Sequence, residues 1–472
     1  MMRTAIYDNR FLWFLLLYGF IIMAFTLNYN SAYLDEAHNI LMGQKVITGQ
    51  YCYACKQYAG SVMIEPILSA MGDYYGGIRG ARVVSIFFGL GLTAIVYCIT
   101  RQLFEGRYGL ISAMLFLFSG TSLYLSKLAT FDIVSAFFLG LALLLLLLGE
   151  KNQSFSRKGL LFFAAASALF LSAMTKYVVA VFIPPLILYA FIRNKCFQTL
   201  LFFFLPLVIF ISLYVYFAIY PVKEILAETL ATVYDHTQIP FRTLSDWIFR
   251  WMAMSYLLSV FGFFHEKKGR TALLLFVLST PIILLHLFTG VEQSVNRDVI
   301  FSHIFLAPAA AIGVDHLANI FSLRSPNQWV KPFFITAILI VLWVFGFQEL
   351  RWLEKQYPDM SPVISFFREK GFDDMTVSID SNYGVTVYAY SLGTYYPHAR
   401  FLSVAEMDSV DCVGRPLYEK VNFIVFDGYY GKKDLRDRAL YYLQSNYFLM
   451  ENFKIPVSWG TTDIKIFGRR KI

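Results

Sequence analysis

The sequence predicts a polytopic α-helical membrane protein carrying a small α/β domain at its C-terminal end. Three observations predict it. Of the 472 residues, 57% are hydrophobic and only 15% are charged, a balance outside that of soluble globular domains. Apolar runs of membrane-crossing length recur from Phe11 to Phe347. From about Glu349 charges become frequent and long apolar runs stop. The 47 Phe and 31 Tyr suit membrane helices bordered by interfacial aromatic belts.

About eleven spans are expected, on a template of roughly 17–22 apolar residues. They run near Phe11–Leu27, Ala81–Thr100, Tyr108–Leu123, Ile133–Gly149, Leu160–Thr175, Tyr177–Ile192, Leu200–Ile219, Trp247–Phe264, Ala272–Thr289, Val299–Ala318 and Pro332–Phe347. The third and fifth are short. The first has no small-x-small cleavage site before Asp35 and is followed by further spans, so it reads as a retained anchor rather than a signal peptide.

The net charge of +8 is informative by location. One set of loops carries Arg3, Arg10, Arg101, Arg107, Lys151, Arg157, Lys158, Arg193, Lys195, Lys267, Lys268, Arg270, Arg324 and Lys331. The opposite set carries most of the acids, from Asp35 and Glu36 to Glu292 and Asp298. Lys/Arg-rich loops face the cytoplasm. The N-terminus is therefore expected inside and, after an odd number of spans, the C-terminal domain outside, in a multi-pass plasma or inner membrane. No basic run with interleaved aromatics suggests nucleic-acid binding.

The longest outer loop is 28–80, in which Glu36–Thr48 and Ser61–Tyr75 read as amphipathic interfacial helices; Tyr220–Asp246 and Gly290–Asp298 follow. The membrane domain is thus 1–348 and the α/β domain 349–472. In the latter, helices are expected at Ser361–Lys370, Tyr383–Leu392 and Asp434–Ser445. Strands are expected at Met375–Asp380, Arg400–Val404, Val421–Asp427 and Asp463–Phe467.

The adjacent carboxylates Asp35 and Glu36 follow the first span directly. Acids suit a first helical turn, yet carboxylates at a membrane surface are costly to desolvate and mark function. Asp132, in Ser126-Lys127-Leu-Ala-Thr-Phe-Asp132, lies at the outer end of the fourth span beside Lys127. Lys176 falls where one span ends and the next begins. Arg297 precedes the tenth span, and Arg82 opens the second. Each alone suits an ion pair, a snorkelling anchor or an anion contact. Together, acids and cations from distant loops land on one membrane face. That is what a transferase with a lipid-phosphate sugar donor needs: a carboxylate to take the acceptor proton and cations to stabilise the departing phosphate. Asp35, His38 and Asp132 are the candidate ligands should a divalent metal be used; no cofactor is otherwise indicated. Cys52 and Cys55 form either a local disulfide or two idle thiols, and the cysteine spacing gives no zinc motif.

In order, Tyr33-Leu34-Asp35-Glu36-Ala37-His38, Gly77-Ile-Arg-Gly-Ala81-Arg82, Leu128-Ala-Thr-Phe-Asp132, Met174-Thr175-Lys176, and Arg297 with Phe301–Pro308 resemble the motifs of the GT-C membrane glycosyltransferases. The likeness is to the protein O-mannosyltransferase and lipid A aminoarabinose transferase branch and covers roughly residues 10–320. The resemblance implies a GT-C fold and inverting transfer of a sugar from a polyprenyl phosphate to a protein, lipid or glycan acceptor. It implies Asp35 as base. The remaining candidates from the charge pattern are Glu36 and Asp132 for catalysis and Lys176, Arg297, Arg82 and Lys127 for the donor phosphate. Two departures stand out. Ile64-Glu65-Pro66 replaces a Lys-Pro-Pro of the aminoarabinose branch, with Lys56 as a substitute cation, and Tyr177 follows Thr-Lys where Gly is usual. The missing Trp-Trp-Asp motif speaks against an oligosaccharyltransferase. The alternatives are a lipid or small-molecule transporter, which would place ionisable groups mid-span, and a non-catalytic subunit, which would not need Asp35, Asp132, Lys176 and Arg297 together.

Overall fold

The computed structural model describes residues 2–469 except 51–62, 105, 195–196, 218–222, 224–239, 291–293, 324–328, 371–374, 394, 397, 408, 410–416, 430 and 459. Cys52, Cys55 and Lys56, and most of the expected loop 220–246, lie outside the described residues. The chain divides into two compact units. The first comprises Met1–Phe25 and Gly43–Leu350, the second Thr26–Met42 and Arg351–Ile472. The segment Thr26–Met42, placed by the sequence with the membrane domain, thus clusters with the C-terminal residues.

The first unit is helical. It holds α1 (Met2–Phe25) and the end of α2 (Leu34–Ile47), then α3 (Ile64–Leu103), α4 (Gly106–Leu117), α5 (Gly120–Leu125), α6 (Phe131–Lys151) and α7 (Phe155–Thr175). Next come α8 (Tyr177–Asn194), opened by a 3₁₀ turn, and α9 (Phe197–Phe217). The series continues with α10 (Phe241–Phe263), α11 (Gly269–Leu278), α12 (Pro281–Thr289), α13 (Val295–Leu323) and α14 (Val330–Glu354). Among the described residues eight helices are long and apolar enough to cross a membrane, against eleven expected. The first and third spans appear as shorter apolar helices, and the eighth is α10, whose Arg242, Asp246 and Arg250 lower its hydropathy.

Three interruptions have local causes. The third span breaks after Leu117, where Ser119 is extended (φ −66°, ψ 131°) and the chain restarts at Gly120. The ninth breaks at Pro281, which cannot donate to the preceding turn. The second interfacial helix runs on into the second span as the 40-residue α3, kinked at Gly77 with φ 59° and ψ −157°, a region open essentially to glycine alone. Unkinked, α3 would be about 60 Å long, twice the hydrocarbon thickness.

α13 is the central helix, with 72% of its apolar window buried; α14 is peripheral, with 6%. Charged pairs bracket the bundle. Asp298 and Asp315 on α13 are 17 positions apart, roughly 26 Å along a helix and close to the hydrocarbon thickness of about 30 Å. Asp315 pairs with Lys331 at 2.7 Å and Arg107 at 3.5 Å. Glu150, 18 positions beyond Asp132 on α6, pairs with Arg193 at 2.7 Å.

The second unit has one five-stranded sheet in the order β2-β1-β3-β5-β4. β1 (Thr376–Ile379) is parallel to β2 (Arg400–Ser403) and to β3 (Phe423–Asp427); β5 (Gly460–Arg469) is antiparallel to β3 and to β4 (Tyr447–Val457). Helices α15 (Ser361–Lys370), α16 (Asn382–Gly393) and α17 (Lys433–Asn446) complete it. Val377, Ile379, Val425, Ile464 and Ile466 form its core with Val363 and Phe367 of α15. The expected elements are present. β4 is additional: an edge strand, bulged between Leu449 and Glu451, mostly exposed and containing Pro456, features that blunt a strand pattern.

Candidate active site

Charged side chains from several helices of the first unit converge at one end of the bundle. Asp132 is buried in the first turn of α6. Thr130, extended just ahead of that helix, donates its hydroxyl to Asp132 Oδ2 at 2.9 Å. Lys176, at φ −145° and ψ 108°, ends α7 and starts α8 without a loop. Its ammonium donates to Asp132 Oδ1 and, at 2.5 Å, to Asp298 Oδ1. Asp298, in the first turn of α13, meets His286 Nε2 of α12 through its other oxygen at 2.9 Å. Arg297 places one guanidinium nitrogen 3.7 Å from Asp132 Oδ2 and donates with another to Ser294 Oγ at 3.0 Å. The rings of Phe131 and Phe301 each lie 5.7 Å from the Lys176 ammonium, favourable cation–π neighbours.

Two carboxylates and two cations therefore cancel in a nearly dry cluster; the side-chain exposure of all four is 12% or less. Buried ions persist only when paired and hydrogen-bonded, and removing one partner costs about 3–5 kcal/mol. The cluster thus fixes the relative rotation of α6, α7, α12 and α13. Its two cations are not equivalent. Lys176 is shared at hydrogen-bond distance by two carboxylates, so much of its charge is taken up within the protein. Arg297 holds its carboxylate at the longer distance and has a planar fork suited to phosphate.

Asp298 and His286 are the site residues that sequence reasoning missed. The signals were present: an Arg-Asp doublet opening a span, and a lone histidine inside the apolar run Pro281–Thr289. Arg82 and Lys127 are both buried in the first unit. Arg82 follows the Gly77 kink on α3, and the Lys127 backbone N–H donates to Tyr124 O at 3.0 Å, just past α5.

Asp35 and Glu36 occupy the first turn of α2, in the part belonging to the second unit. Their surroundings differ. Glu36 is buried, and its carboxylate reaches back to accept the Tyr33 N–H at 3.0 Å. This is the returning half of a capping box. Asp35 is half-buried, as is His38. The preceding loop is fastened within the same unit. Asn30 donates to Tyr357 O at 2.8 Å, the Ser31 N–H to Asp359 at 3.1 Å, and the rings of Tyr33 and Tyr357 stack at 3.8 Å. Among the described residues no group of three or more His, Cys, Asp or Glu side chains is placed to hold a metal ion.

Residues 74–220 match the model of the dolichyl-phosphate-mannose-protein mannosyltransferase family. That interval contains Arg82, Asp132 and Lys176 and excludes Asp35 and Arg297. No curated protein matches the chain by sequence. Among solved structures, the chain resembles ArnT from Cupriavidus metallidurans bound to undecaprenyl phosphate, with 13% identity, a TM-score of 0.57, and 96% of this chain and 97% of that one covered. It also resembles the apo oligosaccharyltransferase of Archaeoglobus fulgidus, with 11% identity, a TM-score of 0.53, and coverages of 92% and 73%. A third likeness is to the mycobacterial arabinofuranosyltransferase AftD, with 11% identity, a TM-score of 0.50, and coverages of 96% and 41%. The chain has the GT-C fold of a multi-pass membrane protein.

Proposed function

We propose, from this fold, that the chain is a membrane glycosyltransferase moving a sugar from a polyprenyl phosphate to an extracytoplasmic acceptor with inversion. The observation that carries the reading is the buried Asp132–Lys176–Asp298–Arg297 cluster, assembled at one end of the bundle from widely separated parts of the sequence. Support also comes from the undecaprenyl phosphate bound by the ArnT relative of the same fold.

In the proposed reaction the acceptor oxygen attacks the anomeric carbon as the bond from that carbon to the phosphate oxygen breaks. A single in-line displacement inverts the centre. Asp35 takes the acceptor proton, and the polyprenyl phosphate leaves with the electron pair. Lys176 and Arg297 are the cations for the phosphate, with Arg82 weaker; Lys127 completes the candidate set. Asp132 acts by holding Lys176 and Arg297 in place. Glu36 positions Asp35 by capping α2. The N-terminus is cytoplasmic and the second unit extracytoplasmic, so the donor is met at the outer leaflet.

The test is transfer by the purified, reconstituted protein from a panel of polyprenyl-phosphate sugars. Asp35→Asn keeps size and removes proton affinity. Turnover is expected to fall at least about a hundredfold, the lower end of general-base contributions, with donor binding little changed. Near-full turnover in this variant would remove Asp35 as the base.

A further inference from the structure

Apart from the ion cluster, the first unit contains a cavity of about 310 Å³ between α4, α10, α13 and α14. Its lining includes Phe118 and Ser119, where the third span is interrupted. The break leaves Ser119 half-buried, its hydroxyl 3.2 Å from His303 Nδ1. Glu349 of α14 accepts the Gly120 N–H at 3.2 Å. At the same place Gly346 approaches Phe118 so closely that an added Cβ would stand 1.7 Å from its carbonyl oxygen. α14 is thus pinned to the bundle at the polar end of the cavity.

The lining is divided. Ser119, His303, Glu349 and Arg250 form a polar end; Phe118, Phe249, Met254, Leu342 and Phe345 form apolar walls. His303 is the informative member. It is 3% exposed, and its Nε2 has no hydrogen-bond partner among the described residues. A buried polar atom left unpaired is costly, and the histidine that carries it belongs to the lining of this cavity.

We propose that this cavity is a lipid-binding site, separate from the ion cluster, for an amphiphile with a hydroxyl-bearing head and an apolar chain. The apolar walls lie among membrane spans, so the occupant comes from the bilayer. A hydroxyl both donates and accepts, and therefore satisfies His303 Nε2 in either tautomer. Further hydroxyls can donate to Glu349 and accept from Arg250. A phosphate head would compete with Glu349 for Arg250 while opposing the carboxylate, whereas a neutral hydroxyl head suits both groups, and a bare hydrocarbon would leave Nε2 unpaired. The bound lipid also covers α14, which the protein itself scarcely buries. The inference does not depend on the transferase reading.

The experiment uses the full chain in phosphatidylcholine nanodiscs. Two diazirine-bearing lipids of equal chain length are compared, a monoglucosyl diacylglycerol and a phosphatidic acid, with cross-linked peptides mapped by mass spectrometry. The glucosyl lipid is expected to label the peptides around Phe249–Met254 and Leu342–Phe345, and unlabelled glucosyl lipid to compete. His303→Phe removes the polar contact, and Leu342→Trp fills the apolar arm while leaving His303 intact. Each is expected to cut labelling about tenfold, the effect of one buried hydrogen bond or its equivalent. Equal labelling by phosphatidic acid, labelling confined to other peptides, or unchanged labelling in both variants would overturn the proposal. Because labelling needs no turnover, its failure is distinguishable from loss of transferase activity.

Discussion

Glu36 and Asp35 are chain neighbours with different tasks. Glu36 closes the first turn of α2 through the Tyr33 N–H, so Glu36→Gln, which keeps the acceptor oxygen, is expected to retain transfer within a few-fold. Glu36→Ala should cost about 1 kcal/mol of helix stability, as lost caps do, and Asp35→Asn should cut turnover at least about a hundredfold without that loss. Thermal unfolding beside turnover separates the two, and an inactive but stable Glu36→Gln would reverse the assignment. Within the ion cluster, Lys176→Met removes the cation shared by Asp132 and Asp298 and leaves two buried carboxylates with Arg297 and the His286 contact. It is expected to destabilise by about 3–5 kcal/mol, read as a lowered Tm. Arg297→Ala should instead weaken polyprenyl-phosphate binding about ten- to a hundredfold, the scale of a lost charge-assisted hydrogen bond, with a smaller fall in Tm. Unchanged lipid affinity in Arg297→Ala would return that residue to a purely structural role.

At the scale of elements, the kink in α3 makes a sharp test. Gly77 sits at φ 59° and ψ −157°, whereas Gly76 sits at φ −147° and ψ 17° with open space around it. Gly77→Ala should cost about 1–3 kcal/mol and lower Tm; Gly76→Ala is the near-neutral control. The two arms of α3 also approach closely, an added Cβ on Gly80 standing 2.0 Å from Gly72 O, so Gly80→Val should be worse than either. Equal Tm values across the three variants would show that the kink is not held by its glycines. In the second unit, Asp380 lies at the carboxyl end of β1, accepting the Asp427 N–H at 2.7 Å and Arg436 Nε at 2.9 Å. Burial raises its pKa to about 6, the hydrogen bonds from Asp427 and Arg436 offsetting only part of the effect. With a native pKa above the unfolded value, the folded state holds the proton more tightly. This contribution to stability is complete below about pH 4 and is lost as pH rises through about 6. Hydrogen exchange at β1 and β3 in the full-length protein, corrected for intrinsic rates, is expected to show protection declining across that window. Asp380→Asn should flatten the decline; constant protection in the unsubstituted protein would contradict the shift.

For the whole molecule, the two ionic layers about 26 Å apart along α13 match a bilayer's hydrocarbon thickness, and the Lys/Arg bias predicts a cytoplasmic N-terminus. A single cysteine introduced in the second unit of a cysteine-free variant should react with an impermeant maleimide from outside intact cells. Labelling only after permeabilisation would invert the topology. Much of this architecture was legible in the chain itself. Spans such as Ala81–Thr100 and Leu160–Thr175 could be read because bilayer thickness fixes the length of an apolar run. The charged ends could be read because ions are excluded from hydrocarbon. Asp132, Lys176 and Arg297 stood out as charges where apolar runs end. The partners of those charges could not be read the same way. Whether Lys176 meets Asp298, and Asp298 meets His286, depends on the rotational phase of α7, α12 and α13, and helices with apolar residues on many faces do not encode their phase in a single sequence. The same reason hid the division between Asp35 and Glu36: both are acids in a first turn, and only the backbone path through Tyr33 decides which oxygen caps the helix and which side chain stays half-exposed. Sequence alone determined that this chain crosses the membrane and carries charge at its span ends. Tertiary packing decided which of those charges neutralise one another, because pairing is a property of distances between helices rather than of any one of them.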